Sequence, residues 1–323
     1  MVEYPVQAED PGDTDVGTVG VLRFVGGDPI PAERDTLIAL WSLPYSTLLY
    51  PDGQVRIDLD DAEQLEQYPV CTIMRTLSNW DAVQEVLVAA AVLRTHGAKR
   101  IELFAPYIFG SRSDRAFAPG DCNYMQDVIG PLLRNAGIER CLVMDPHSPA
   151  MLQSLPGGTA ATMVPFYRWV NKQFIADVVI APDAGALARA QQYATMYNLP
   201  ICCATKQRDP DTGKITRYNL DPAVDLAGKN VLVVDDLCDG GATFLMLGEA
   251  LQMRLVGDTA LCVTHGLFSK GFAALEQFYD RIYFTDSTDV IVSEDPEGRV
   301  LQYPIMSSKP MKENNEPQST TQN

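Results

Sequence analysis

The stretch VLVVDDLCDGGATFLMLGEALQM, residues 231–253, decides the fold. Its first four residues form a continuous apolar run of the kind buried on both faces of a parallel sheet. Asp235 and Asp236 follow, then the glycine pair Gly240 and Gly241, then an apolar pattern at helical spacing over 244–253. A glycine-rich turn from strand to helix offers unpaired N–H groups to an anion, at the strand end where open α/β sheets bind ligands. Paired carboxylates beside such a cradle would repel a phosphate unless they take hydroxyls or metal-bound water. A sugar phosphate satisfies both demands. Read alone, the stretch also permits a strand ending in a solvated Asp turn before an ordinarily capped helix. The Walker pattern GxxxxGK[ST] is absent, so nucleotide binding by that route is not supported.

Working outward, apolar strand-like runs alternate with helical patterns. In the first half they fall at 71–74, 82–93, 101–105, 124–133 and 140–144; in the second, at 178–181, 184–197, 200–204, 231–234, 244–253 and 260–263. The alternation predicts βαβ units, hence an α/β protein of two similar halves, each a mainly parallel sheet flanked by helices. Proline, glycine and threonine interrupt the pattern at 151–162, which predicts units at 17–150 and 151–306. The acidic start, 1–16, and the polar end, 307–323, are expected to be mobile.

Composition narrows the function. With 42 acidic and 25 basic residues the chain carries a net charge of -17, which opposes nonspecific binding to nucleic acid or an anionic membrane. No apolar run approaches the ~20 residues needed to span a bilayer, and the start does not read as a secretion signal, so a cytoplasmic protein is expected. Seven cysteines without a CxxC pair argue against a disulfide framework or a zinc site. Three histidines exclude a His-rich metal cage, so a metal would depend on oxygen ligands.

The 231–253 stretch resembles the phosphoribosyl-pyrophosphate loop shared by type I phosphoribosyltransferases and ribose-phosphate diphosphokinases. Other segments favour the diphosphokinases. APYIFGSRSDR at 105–115 resembles that family's Pro-Tyr run ending in Arg-Gln-Asp-Arg, MDPH at 144–147 its Met-Asp-Leu-His, and APDAGALARA at 181–190 its Ser-Pro-Asp-x-Gly. Lys206-Gln207-Arg208 stands for Lys-Arg-Arg, THGLFS at 264–269 matches many members, and YPDGQ at 50–54 is similar to Phe-Ser-Asp-Gly-Glu. The resemblance spans about 50–289, in family order.

It implies two phosphoribosyltransferase-like domains related by duplication, and diphosphoryl transfer from Mg-ATP to ribose 5-phosphate with release of AMP. Lys206, Arg208 and His147 are the implied catalytic residues, with Lys206 and Arg208 before a mobile turn, 209–213. His147 and Asp183 are the implied Mg2+ contacts. Asp183, Asp235, Asp236 and the loop Asp239, Gly240, Gly241, Ala242 and Thr243 are the implied ribose-phosphate site. Tyr50, Asp52, Gln54, Arg112, Ser113, Asp114 and Arg115 are the implied nucleotide contacts, Tyr50 stacking on adenine. A homo-oligomer, dimer or hexamer, is implied, in which one subunit's Tyr50 loop completes another's adenine site. Taken singly, His147 could cap a turn, Asp183 could cap a helix, and Lys206 and Arg208 could form an exposed basic turn. His265 is expected to be structural.

The chain departs from the family where Gly240 replaces a threonine and Ala242 a glycine, losing one hydroxyl donor to the 5-phosphate, worth about 1.5–3 kcal/mol. Two alternatives follow. The acceptor is ADP-ribose or another 5-substituted ribose phosphate, whose proximal phosphate needs fewer donors, or the chain is a catalytically silent regulatory subunit. The retention of Lys206, Arg208, His147 and Asp183 argues against the latter.

Overall fold

The structure is a computed structural model describing residues 23–27, 41–43, 45–59, 63, 65, 70–208, 215–290, 292 and 297–306, with backbone alone at 23–27, 41–43, 208 and 215–217. The two ends expected to be mobile and the 209–213 turn lie outside the described residues.

Strands β1 (Arg23–Gly27) and β2 (Trp41–Leu43) precede a hairpin of β3 (Tyr45–Leu49) and β4 (Val55–Leu59). Then come β5 (Val70–Met74), α1 (Trp80–Thr95), β6 (Ile101–Phe104), a π-helical turn over Met125–Ile129 running into α2 (Gly130–Asn135), β7 (Arg140–Met144), α3 (Pro149–Ser154) and β8 (Thr159–Ala161). The first sheet has the order β2-β1-β5-β6-β7-β8, parallel from β5 onward, with β1 antiparallel to both neighbours. Its central strands are buried on both faces, which is why they read as unbroken apolar runs. Asn79 caps α1 by accepting from the Ala82 N–H at 2.9 Å.

The second half contains α4 (Val164–Gln173), β9 (Val178–Ala181), α5 (Leu187–Tyr197), β10 (Ile201–Cys203), β11 (Thr205–Arg208), β12 (Ile215–Asn219), β13 (Val231–Cys238), α6 (Ala242–Gln252), β14 (Thr259–Gly266), β15 (Arg281–Thr285) and β16 (Val300–Tyr303). Six of its strands form a wholly parallel sheet, β10-β9-β13-β14-β15-β16, while β11 and β12 pair as a separate hairpin. The architecture is thus the expected α/β class, two mainly parallel sheets flanked by helices.

Three details differ from the sequence reading. The first sheet keeps β8, so the passage between sheets comes after Ala161, at the far end of the interrupted 151–162 segment and not at 150. Strand β13 continues to Cys238, because Asp235, Leu237 and Cys238 stay paired to β14; the carboxylate pair is therefore on the strand, not in a solvated turn. The 124–133 helix begins as a π-turn.

The halves are locked by a shared core. Met74, Phe104, Leu142 and Met144 of the first sheet pack with Phe166, Tyr167 and Val170 of α4, Tyr193 of α5, and Val179, Leu232 and Val234 of the second sheet. Fully burying each large apolar side chain contributes about 1.5–3 kcal/mol. Polar ties cross the same boundary: Thr76 donates to the Ser287 carbonyl at 3.1 Å, and His265 Nε2 meets the Met144 carbonyl at 3.1 Å while its Nδ1 meets Ser287 Oγ at 2.8 Å. Burial holds His265 below its usual pKa, and its contacts fit the expected structural role.

Candidate active site

The carboxyl ends of the two parallel sheets face a common region. Asp145, Pro146 and His147 follow β7, Asp183 follows β9, and Asp235 and Asp236 lie on β13. Packing the sheets through one core brings the segments after β7 and on β13 within hydrogen-bonding distance. His147 Nδ1 lies 2.7 Å from Asp236 Oδ2, so a side chain from each half forms one pair. Asp236 is 5% exposed, and as acceptor it leaves the other ring nitrogen of His147 available for a ligand. The hydrogen bond to Asp236 raises the His147 pKa despite partial burial.

At the centre lies Arg189 of α5, a residue to which the sequence reading gave no role. Its Nε donates to Asp145 Oδ1 at 3.2 Å, and its Nη1 reaches Asp235 Oδ1 at 3.2 Å and Asp236 Oδ1 at 3.3 Å. Asp145 also accepts from Thr264 Oγ1 at 2.6 Å and has a positive φ of 34°, a conformation that Asp tolerates better than most residues. Burial alone would lower the Arg189 pKa, but Asp145, Asp236 and Asp235 together raise it. The three carboxylates divide its charge unequally. Burial, with the adjacent Asp236 carboxylate, holds Asp235 well above the usual carboxylate range. Asp236 is buried too, yet the His147 hydrogen bond and Arg189 hold it far below that range. The pair therefore presents one carboxyl that protonates readily beside one that stays ionised.

This asymmetry has a measurable consequence. A carboxyl whose folded pKa is raised contributes stability below its unfolded pKa of ~3.9, and that contribution is lost as pH rises through the folded value. Asp235→Asn does not titrate at all. The variant is expected to be more stable than the parent near neutral pH, with the gap closing toward about pH 4. Urea denaturation across that range checks it; a variant less stable at neutral pH would show that Asp235 is ionised at no cost.

Asp183 Oδ2 takes the Lys206 ammonium at 2.5 Å, while its Oδ1 accepts the N–H groups of Gly185 at 2.9 Å and Ala186 at 3.2 Å. Asp183 thus holds the turn that leads into α5 and at the same time pairs with Lys206. Burial works to raise its pKa, but Lys206 prevails and lowers it. Lys206 projects from β11, with its ammonium 5.8 Å from the centre of the Tyr218 ring. Arg208 ends the same strand, and its side chain lies outside the described residues.

The glycine loop follows β13. Gly241 has φ 76° and precedes α6 with no side-chain cap, leaving the first turn of the helix to an external acceptor. A Cβ there would also press on Leu275 at 3.2 Å. Asp239 is held by Ser269 Oγ at 2.7 Å and by Arg112 Nη2 at 3.2 Å, the latter a further link between halves.

Not every expected residue converges. Asp114 is buried and takes the hydroxyl of Ser148, which caps α3. Ser113 donates its N–H to Gly110, and the Arg115 guanidinium lies 5.5 Å from the Phe117 ring centre. The turn with Tyr50, Asp52 and Gln54 closes on itself, Tyr50 N–H to the Gln54 carbonyl at 2.8 Å and Gln54 N–H to Asp52 at 3.1 Å. His147 and Asp183, expected to share a metal, have different partners, and among the described residues no group of three or more His, Cys, Asp or Glu is placed to hold one.

Comparison with known proteins gives the family and the fold. Residues 167–297 match the phosphoribosyl transferase domain family. The ribose-phosphate pyrophosphokinase of Thermococcus kodakarensis is 32% identical over 197 residues, covering 59% of this chain and 67% of the relative. The chain belongs to the ribose-phosphate pyrophosphokinase family. The family member from Saccharolobus solfataricus is 28% identical, covering 69% of this chain and 78% of its own length. Phosphoribosylpyrophosphate synthetase from Mycobacterium smegmatis shares the fold, with a TM-score of 0.70 at 18% identity over 81% of this chain and 86% of that one. Among the described residues no helix is long and apolar enough to cross a membrane.

Proposed function

We propose that this chain transfers the β,γ-diphosphoryl group of Mg-ATP to the 1-hydroxyl of ribose 5-phosphate, giving phosphoribosyl pyrophosphate and AMP. The observation that carries the reading is the His147–Asp236 pair, which joins the expected phosphate-contacting histidine of one half to the expected sugar-binding carboxylate of the other.

In the reaction the bond from O1 to the β-phosphorus forms as the bond from that phosphorus to the AMP oxygen breaks, and the O1 proton is released. Such transfers depend on alignment and charge neutralisation more than on covalent help from the protein. Asp235 and Asp236 would take the 2- and 3-hydroxyls, Asp235 able to donate when protonated and Asp236 accepting throughout. The 239–243 loop would receive the 5-phosphate. Lys206 and Arg208 would meet the transferring phosphates. The donor set fits Mg2+ if the ion takes most ligands from substrate and water, since His147 offers one ring nitrogen and Asp183 one carboxylate. His147 and Asp183 would hold that ion, which would spread the charge of the polyphosphate. Arg112, Ser113, Asp114 and Arg115 would face the nucleotide. The Tyr50 hairpin tip, closed on itself and flanked by the exposed Leu49, would complete the adenine site of a second copy.

AMP release from Mg-ATP by the purified protein tests the reading, with ribose 5-phosphate or ADP-ribose as acceptor and Lys206→Ala as the blank. Release that depends on ribose 5-phosphate supports it. Preference for ADP-ribose would replace the acceptor, and no AMP with either would leave a regulatory subunit.

A further inference from the structure

The loop that would receive the 5-phosphate has lost a hydroxyl at Gly240, and the structure places another side chain there. A Cβ built on Gly240 would lie 3.5 Å from Lys270 Cε, 3.6 Å from its Cδ and 3.7 Å from Ser269 Oγ. The methylenes of Lys270 therefore lie against the face of the loop from which a threonine side chain would project. The missing hydroxyl and the lysine stem form one arrangement.

Charge at the site points the same way. Arg112 is held by Asp239, Lys206 by Asp183, and Arg189 by three carboxylates. The Ser269 hydroxyl is already given to Asp239. Lys270 is exposed and makes no hydrogen bond or ion pair among the described residues, although it is near enough to help, after Ser269 and Arg112, in lowering the Asp239 pKa. A phosphate monoester carries about -1.5 to -2 charges at neutral pH, and one of the loop's own side chains is the Asp239 carboxylate. The loop needs a free cation at this position, and among the described residues it is Lys270 that lies against Gly240 without a hydrogen bond or ion pair.

Building on the reading of 239–243 as the sugar-phosphate loop, we propose that Lys270, lying over Gly240, is the specificity-determining residue for the terminal 5-phosphate of the acceptor. Its ammonium replaces the lost hydroxyl and reads the second negative charge of a phosphate monoester, which a 5-substituted diester lacks. Lys270 acts on ground-state and transition-state binding equally, because the 5-phosphate takes no part in bond making, so its loss raises KM and spares kcat.

Lys270→Met keeps a chain of similar length over Gly240 and removes only the charge. It is expected to raise KM for ribose 5-phosphate about tenfold with kcat within about twofold, and to leave any activity with ADP-ribose unchanged. Gly240→Thr combined with Lys270→Gly is expected to restore KM. Calorimetric titration with inorganic phosphate gives a readout independent of turnover: the parent binds, and Lys270→Met binds about tenfold more weakly. Equal KM and equal phosphate binding in parent and variant would overturn the proposal, as would an equal loss toward both acceptors or a parent that binds no phosphate. If the parent releases no AMP with either acceptor, the proposed reaction fails, and the titration alone decides the role of Lys270.

Discussion

Lys206→Ala is expected to lower kcat for AMP release by about 10²–10³-fold, the range for removing one preorganised group that stabilises transition-state charge. Lys206 stands on the β11–β12 hairpin with its ammonium on Asp183, a position from which it can exchange that carboxylate for a polyphosphate oxygen. Folding should scarcely change, since a partly exposed ion pair contributes at most about 1 kcal/mol. Steady-state kinetics and thermal denaturation together make the test. A fall below about tenfold would place Lys206 outside the transferring phosphates, and a large loss of stability would assign it a structural task instead. Lys206→Arg should recover part of the rate, because it keeps the charge but spreads it over a planar fork.

Arg189→Met is expected to cost about 3–5 kcal/mol of stability near neutral pH, the usual penalty for leaving buried charge without its partner. The guanidinium lies among Asp145, Asp235 and Asp236, and its removal leaves these carboxylates facing one another in a dry environment. Arg189 lowers the pKa of Asp235 and of Asp236, so both must then rise. A raised carboxyl pKa favours the folded state below the unfolded value of ~3.9 and loses that advantage as pH rises through the folded value. The deficit relative to the parent should therefore shrink as pH is lowered from neutral. Urea denaturation at neutral and mildly acidic pH measures it; a deficit independent of pH would mean that lost packing, not unpaired charge, is the cause. Arg189→Lys should cost less, with KM for the sugar still raised because one ammonium cannot reach all three carboxylates in fork geometry.

Much of this protein could be read along the chain. The central parallel strands from β5 to β7 and β9, β10, β13 and β14 were legible because a strand buried on both faces must be apolar throughout, and β7 and β9 were located at their observed limits. The glycine loop was legible because its strand, turn and helix are consecutive. Strands β1 to β4, the short β8, the β11–β12 hairpin and the last two strands β15 and β16 were not, most of them because partly polar or very short runs do not stand apart from loops.

Sequence by itself determined the α/β class, the two sheets and the segments proposed to carry the chemistry, because these depend on residue periodicity and on motifs a few positions long. Tertiary structure alone decided how those segments meet. Asp145 contacts Arg189 and Thr264, and His147 contacts Asp236, across separations of 44, 119 and 89 residues that no local pattern encodes. It also decided which of two adjacent aspartates takes up a proton the more readily. Asp235 and Asp236 are chemically identical in the sequence, and only burial and the positions of His147 and Arg189 drive their pKa values apart.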